Sequence, residues 1–111
     1  LFFSSLRAAF VCTCPREAVE ALVARLVESR LVACVNIVSG VRSVYRWEGK
    51  LENDTESLLI MKTQRARMES VIEAIEEAHP YEVPEVLALP VESGSSAYLD
   101  WVFRETEPEQ E

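Results

Sequence analysis

The feature that most constrains the fold is the position of two amphipathic helical stretches among four extended apolar ones. Apolar residues recur with the i, i+3, i+4, i+7 spacing of one helical face between residues 19 and 27, and again between residues 68 and 75. Four stretches have the composition of strands: Leu6 to Thr13, Leu31 to Val38, Glu56 to Thr63 and Glu85 to Val91. The order along the chain is therefore β-α-β-β-α-β.

This order predicts an α+β, ferredoxin-like fold in which both helices cover one face of an antiparallel sheet with strand order 4-1-3-2. Ser95 or Ser96 can cap a further, C-terminal helix. We predict a single domain over residues 1–106 and an acidic disordered tail over residues 107–111. The chain begins without methionine, and we interpret this as a trimmed N-terminus.

The stretch from Val41 to about Thr55 predicts a long β-hairpin that projects from the sheet as an arm. Its first half, "VRSVYRWE", alternates in the manner of a strand, and Gly49 marks the turn. "ACVNIV" and "LLIM" are apolar at consecutive positions, so both faces of the central strands need cover. These features predict a tight oligomer, and Tyr45 and Trp47 are interpreted as interface packing groups rather than as a ligand cage.

Composition and charge exclude several classes of function. The 111 residues carry a net charge of −8, with 19 acidic against 11 basic residues, so nucleic acid is not an expected partner. No apolar run approaches the length of a membrane span. The three cysteines suggest free thiols in a reducing compartment. One histidine, without a phosphate-binding loop or a Ser-His-Asp pattern, predicts neither an enzyme nor an organic cofactor.

The predicted topology brings the segment "CTCP" to the segment "HPYE", because the first strand and the second helix end at the same edge of the sheet. Cys12, His79 and Glu82 would then offer a thiolate, an imidazole and a carboxylate to copper or zinc. Cys14 shares a strand face with Cys12. The alternative is structural: cysteine often acts as a small buried hydrophobe, and His79 would simply end a helix that Pro80 cannot continue.

Several motifs in order carry a family resemblance. The segments are "RLVACVNIVSGVRSVYRWEGKLENDTE", "LLIMKT", "HPYEVPEVLALPV" and "YLDWV", and the similarity runs from Ala8 to about Thr106. In these the chain resembles the CutA family of divalent-cation tolerance proteins. The resemblance implies a stable, ferredoxin-like, cytoplasmic homotrimer that serves in tolerance to copper and other divalent cations. It also implies copper binding at the positions of Cys12 and His79.

The sequence is thus interpreted as a homotrimer that binds a divalent cation, Cu(II) among the candidates, and serves in metal-ion tolerance. The alternative is a signalling or adaptor trimer resembling the PII regulators, which would bind a small molecule in clefts between subunits.

Overall fold

The computed structural model describes residues 6–108, and it contains one four-stranded antiparallel sheet with two helices on one face and a third helix at one end. The strand order is β2-β3-β1-β4, so the predicted α+β fold and its strand order are confirmed. The part of the predicted acidic tail beyond residue 108 lies outside the described residues. The elements are β1 (Arg7–Cys14), α1 (Val19–Glu28), β2 (Cys34–Trp47), β3 (Lys50–Gln64), α2 (Met68–Ala78), β4 (Val86–Pro90) and α3 (Ser96–Glu105).

The second strand begins at Cys34, not at Leu31 as the sequence suggested, because α1 ends in a Schellman motif. Arg30 adopts a left-handed conformation with φ 63°. Its N–H donates to the carbonyl of Val27 at 3.0 Å, and the N–H of Leu31 donates to the carbonyl of Leu26 at 3.1 Å. These bonds hold residues 30 and 31 in the helix terminus, so the extended conformation starts later.

The arm is a continuous extension of β2 and β3. The two strands pair from Cys34↔Lys62 out to Trp47↔Lys50, with one irregularity between Val38 and Val41. At the tip, Glu48 and Gly49 have φ values of 51° and 80°. Positive φ at both central residues is characteristic of a type I′ turn, whose twist matches that of the paired strands. The predicted projecting hairpin is therefore present.

The core lies between one sheet face and the two helices α1 and α2. Strand positions of one parity point to the same side, and on this side Phe10, Leu59 and Met61 have no exposed surface. Leu26 of α1 and Ile75 of α2 pack in the same cluster and are equally buried. Burial of each such side chain contributes about 1.5–3 kcal/mol, so this layer is the main source of stability within one chain.

The opposite sheet face is only partly covered. At the end where β1 begins, the guanidinium of Arg7 lies 4.0 Å from the ring centroid of Phe103 in α3. Elsewhere on this face, Val38, Leu87 and Leu89 are 43%, 57% and 46% exposed. An apolar sheet face of this kind is typical of a surface that another chain covers. Within residues 6–108, no helix has both the length and the apolar character needed to cross a membrane.

Candidate functional site

His79 is the residue at which α2 ends. Its backbone is extended, with φ −75° and ψ 138°, as is usual for a residue before proline. The Nδ1 atom accepts a hydrogen bond from the backbone N–H of Tyr81 at 3.1 Å, so Nε2 carries the proton. Nε2 therefore donates to the carbonyl of Thr13 at 2.7 Å. The side chain is 7% exposed, and it joins α2 to the end of β1 as a neutral imidazole.

Cys12 lies close to the same carbonyl. Its Sγ lies 3.7 Å from the carbonyl oxygen of Thr13, and the residue has no exposed surface. The prediction that "CTCP" and "HPYE" meet is confirmed by the bond between His79 and the carbonyl of Thr13. Burial, and then the charges of Cys14, Glu85 and Glu56, raise the pKa of the Cys12 thiol to about 12. At neutral pH the thiol keeps its proton.

Cys14 has a similar environment, since burial raises the pKa of its thiol, followed by the effect of Glu56. The two thiols point towards α1 and α2, whereas Thr13 between them points to the opposite face of the sheet. Cys12 and Cys14 therefore belong to the core, in agreement with the structural alternative from the sequence.

Glu82, the third predicted metal ligand, is exposed, and it lines a cleft beside the turn that follows His79. Among the described residues, no group of three His, Cys, Asp or Glu side chains converges as a metal site requires. A cation bound by Cys12 and His79 would have to displace the thiol proton and break the bond from Nε2 to Thr13. In this conformation the residues do not fit a resident metal ion, and their role as ligands stays a prediction.

A cleft of about 850 Å³ lies between the arm and the turn formed by residues 80–85. It occupies the same sheet face as α3, at the end where β1 finishes. The lining contains four carboxylates, three large aromatic side chains and no basic residue, and it consists of Thr13, Ser43, Val44, Tyr45, Trp47, Asp54, Glu56, Pro80, Tyr81, Glu82, Val83, Pro84 and Glu85. We call this the acidic cleft.

Two tyrosine–carboxylate hydrogen bonds organise the acidic cleft. The hydroxyl of Tyr81 donates to Oε1 of Glu56 at 3.0 Å, and the hydroxyl of Tyr45 donates to Oδ2 of Asp54 at 2.5 Å. The bond to Asp54, with weaker effects of burial and nearby carboxylates, raises the pKa of Tyr45 to about 12. Burial and then the bond to Glu56 raise the pKa of Tyr81 above its usual range. Nearby carboxylates contribute to both shifts.

The sequence interpretation did not include Asp54 and Glu56 as site residues. A signal was present: carboxylates at 52, 54 and 56 alternate along a strand that pairs with the strand bearing Tyr45 and Trp47. Alternation with period two places all three carboxylates on one face. Without the pairing register, that face could not be distinguished from an ordinary solvated strand face.

Fold and cleft together define a ferredoxin-like α+β protein with an acidic, aromatic cleft beside a long β-hairpin. The family model for the CutA1 divalent ion tolerance protein matches residues 8–105, and the chain belongs to this family.

Similarity to individual proteins agrees with this assignment. The chain is 50% identical over 104 residues to Protein CutA of Mus musculus, a match that covers 93% of this chain and 58% of the mouse protein. It therefore spans less than two thirds of that relative.

Solved structures show the same fold. The divalent cation tolerance protein of Thermus thermophilus aligns with a TM-score of 0.88 and 41% identity, covering 92% of this chain and all of the other. The PII-like protein CutA of Nostoc sp. PCC 7120 aligns with a TM-score of 0.86 and 34% identity, covering 92% of this chain and 99% of the other.

Proposed function

We propose that this chain forms a homotrimer that binds divalent cations, Cu(II) among them, in a metal-tolerance role, and that it is a binding protein rather than an enzyme. Family membership and the name of the Thermus protein, a divalent cation tolerance protein, support the cation. The exposed apolar residues Val38, Leu87 and Leu89 support association with further copies. The three free thiols support a reducing compartment, for which we propose the cytoplasm.

The observation that carries the proposal is the charge of the acidic cleft. Asp54, Glu56, Glu82 and Glu85 line it without a basic residue. Carboxylate oxygens are ligands for divalent cations, and a cleft lined by one sign of charge concentrates counter-ions. Glu82 of the predicted metal set belongs to this surface. Cys12 and His79 would join such a site only after the thiol loses its proton and the imidazole leaves the carbonyl of Thr13.

Copper titration against a competing chelator tests the proposal. It also distinguishes binding by the cleft carboxylate Glu82 from binding by Cys12 and His79. The variants are Cys12→Ser, His79→Ala and Glu82→Gln, with Glu76→Gln on the exposed surface of α2 as the matched charge control. Loss of a true ligand should weaken Cu(II) binding by at least about tenfold, since loss of a residue that merely orients a ligand already has that effect. The control should bind like the parent chain.

Two results decide the outcome. Equal affinity in all three site variants would remove these residues from the site, and absence of stoichiometric Cu(II) in the parent would contradict the cation proposal. Sedimentation velocity tests the oligomer separately, since a folded monomer at micromolar concentration would contradict the trimer.

The second candidate is a PII-like sensor that binds a small molecule. The volume and aromatic lining of the acidic cleft favour it, because small-molecule sites are commonly concave spaces of about 300–1,000 Å³ with aromatic walls. The neighbour from Nostoc, whose name describes it as PII-like, supports this class. Saturable binding of a small organic molecule with no Cu(II) uptake would favour this candidate over the first.

A further inference from the structure

The acidic face of the arm carries its charges in a row. Glu52, Asp54 and Glu56 alternate along β3, and across the register they face Tyr45, Ser43 and Val41 of β2. A strand rises about 3.4 Å per residue, so neighbouring carboxylates of this row start about 7 Å apart. We call these three residues the carboxylate row.

Glu56, at the inner end of the row, is a buried carboxylate with no ion-pair partner among residues 6–108. The residue is 5% exposed, and its Oε1 accepts from the hydroxyl of Tyr81. Its second oxygen, Oε2, takes part in no hydrogen bond or salt bridge within residues 6–108. That oxygen is not completely buried, so solvent and ligands can reach it. A buried carboxylate is costly unless a positive group compensates it. The second oxygen is therefore available to a cation that enters the cleft.

The spacing of these charges suits an extended cation better than a metal ion. A divalent metal needs several oxygens within about 2.0–2.6 Å of one point, and no three such ligands converge among the described residues. A linear diamine carries two charges separated by an alkyl chain, which matches carboxylates spaced along a strand. Its alkyl chain requires apolar surface, which a metal ion does not.

The aromatic lining supplies that surface. Tyr45, Trp47 and Tyr81 border the cleft and are 39%, 40% and 36% exposed in the single chain. The rings of Tyr45 and Trp47 are here assigned to a ligand, in place of the subunit interface that the sequence predicts. Ammonium groups are attracted to aromatic faces, most strongly to tryptophan. Carboxylates and aromatic rings on the walls of one cleft are the combination that recognises organic amines.

We propose that the acidic cleft binds a linear organic diamine or polyamine. One ammonium group donates a hydrogen bond to Glu56, and the next forms an ion pair with Asp54. The methylene chain lies along the rings of Tyr45 and Trp47. This proposal shares the carboxylates of the acidic cleft with the proposed metal site, so the two cations would compete there, but it requires neither Cys12 nor His79.

The test is isothermal titration calorimetry of the full chain, in its native oligomeric state, with 1,4-diaminobutane as the probe. 1,4-Butanediol has the same length without charge, and magnesium chloride at matched ionic strength controls for non-specific attraction. We expect saturable binding of the diamine, none of the diol, and only partial displacement of the diamine by magnesium chloride. Glu56→Gln and Asp54→Asn should each weaken it about tenfold or more, as expected when a charge-assisted hydrogen bond is lost. The surface control Glu76→Gln should bind like the parent.

A second readout places the ligand. The indole N–H resonance of Trp47, assigned with Trp47→Phe, should shift on adding diamine and stay unchanged with the diol. If Glu56→Gln does not fold, Asp54→Asn with this resonance completes the test, because Asp54 is less buried. Three results would each overturn the proposal. They are the absence of saturable diamine binding, complete displacement of the diamine by magnesium chloride at matched ionic strength, and an unaltered diamine affinity in both cleft variants. Copper titration of the same samples shows independently whether the metal proposal stands.

Discussion

His79→Ala should destabilise the protein in the complete absence of metal. The imidazole is bonded at both nitrogens to backbone groups, the carbonyl of Thr13 at 2.7 Å and the N–H of Tyr81 at 3.1 Å. Alanine removes both hydrogen bonds and also the contact with the Tyr81 ring, whose centroid lies 4.8 Å from that of the imidazole. The change therefore affects two backbone groups and one packing contact together.

The expected magnitude follows from these contacts. A buried polar group left unpaired costs about 1–3 kcal/mol. Thr13 is 7% exposed, so its carbonyl should bear most of that cost, whereas Tyr81 is 36% exposed and its N–H can turn to water. We expect a loss of about 2–4 kcal/mol in the free energy of unfolding. That is a large part of the roughly 5–15 kcal/mol typical of a domain.

Guanidinium unfolding in excess EDTA measures this loss, with protein concentration held fixed because assembly contributes to apparent stability. Tyr81→Phe is the control, since it keeps the ring and the backbone N–H and removes only the hydroxyl bond to Glu56. An unfolding free energy of His79→Ala within about 0.5 kcal/mol of the parent, the range of ordinary surface substitutions, would refute this structural role of the imidazole.

Two further predictions concern the raised pKa values. Cys12, with a pKa of about 12 and no exposed surface, should react with a thiol reagent at pH 8 only as fast as the protein opens, and rapid labelling of Cys12 in native protein would contradict this. Tyr45 and Tyr81 both have a pKa raised in the folded state, Tyr45 to about 12. Their stabilising effect is complete below the unfolded pKa near 10 and is lost as pH rises through the folded values. The denaturant concentration at the unfolding midpoint should therefore decrease as the pH rises above about 10. Tyrosinate absorbance of the folded protein should appear at a higher pH than that of the unfolded protein.

The fold was predictable because the sequence periodicities agree with one another. The spacing of Val71 and Ile75 predicts the buried face of α2, and Pro80 predicts where that helix stops. Gly49 predicts the turn of the arm. Local signals of this kind do not depend on distant contacts, which is why element order and sheet order are confirmed.

The predicted boundary at Leu31 was wrong for a physical reason. Arg30 takes the left-handed position that glycine usually occupies after a helix, so the sequence contained no visible stop signal there.

The site was predicted only in part, because the sequence shows which segments meet but not how their side chains are bonded. The juxtaposition of Cys12 and His79 follows from topology. The protonation and bonding of their side chains depend on burial and on contacts such as the bond from His79 to the carbonyl of Thr13, 66 residues away. Glu56 became a site residue only once its pairing register and the bond from Tyr81 were known.

Tyr81 connects the two parts of the site, and this affects how metal-binding variants must be interpreted. Its backbone N–H is held by His79, and its hydroxyl is held by Glu56 in the acidic cleft. A change at His79 frees the backbone of Tyr81 and can thereby displace the ring that orients Glu56. Weaker cation binding in His79→Ala would then arise without any bond between the imidazole and the metal. Coordination by His79 is established only if Tyr81→Phe, which breaks the link to Glu56 and spares the imidazole, keeps the affinity that His79→Ala loses.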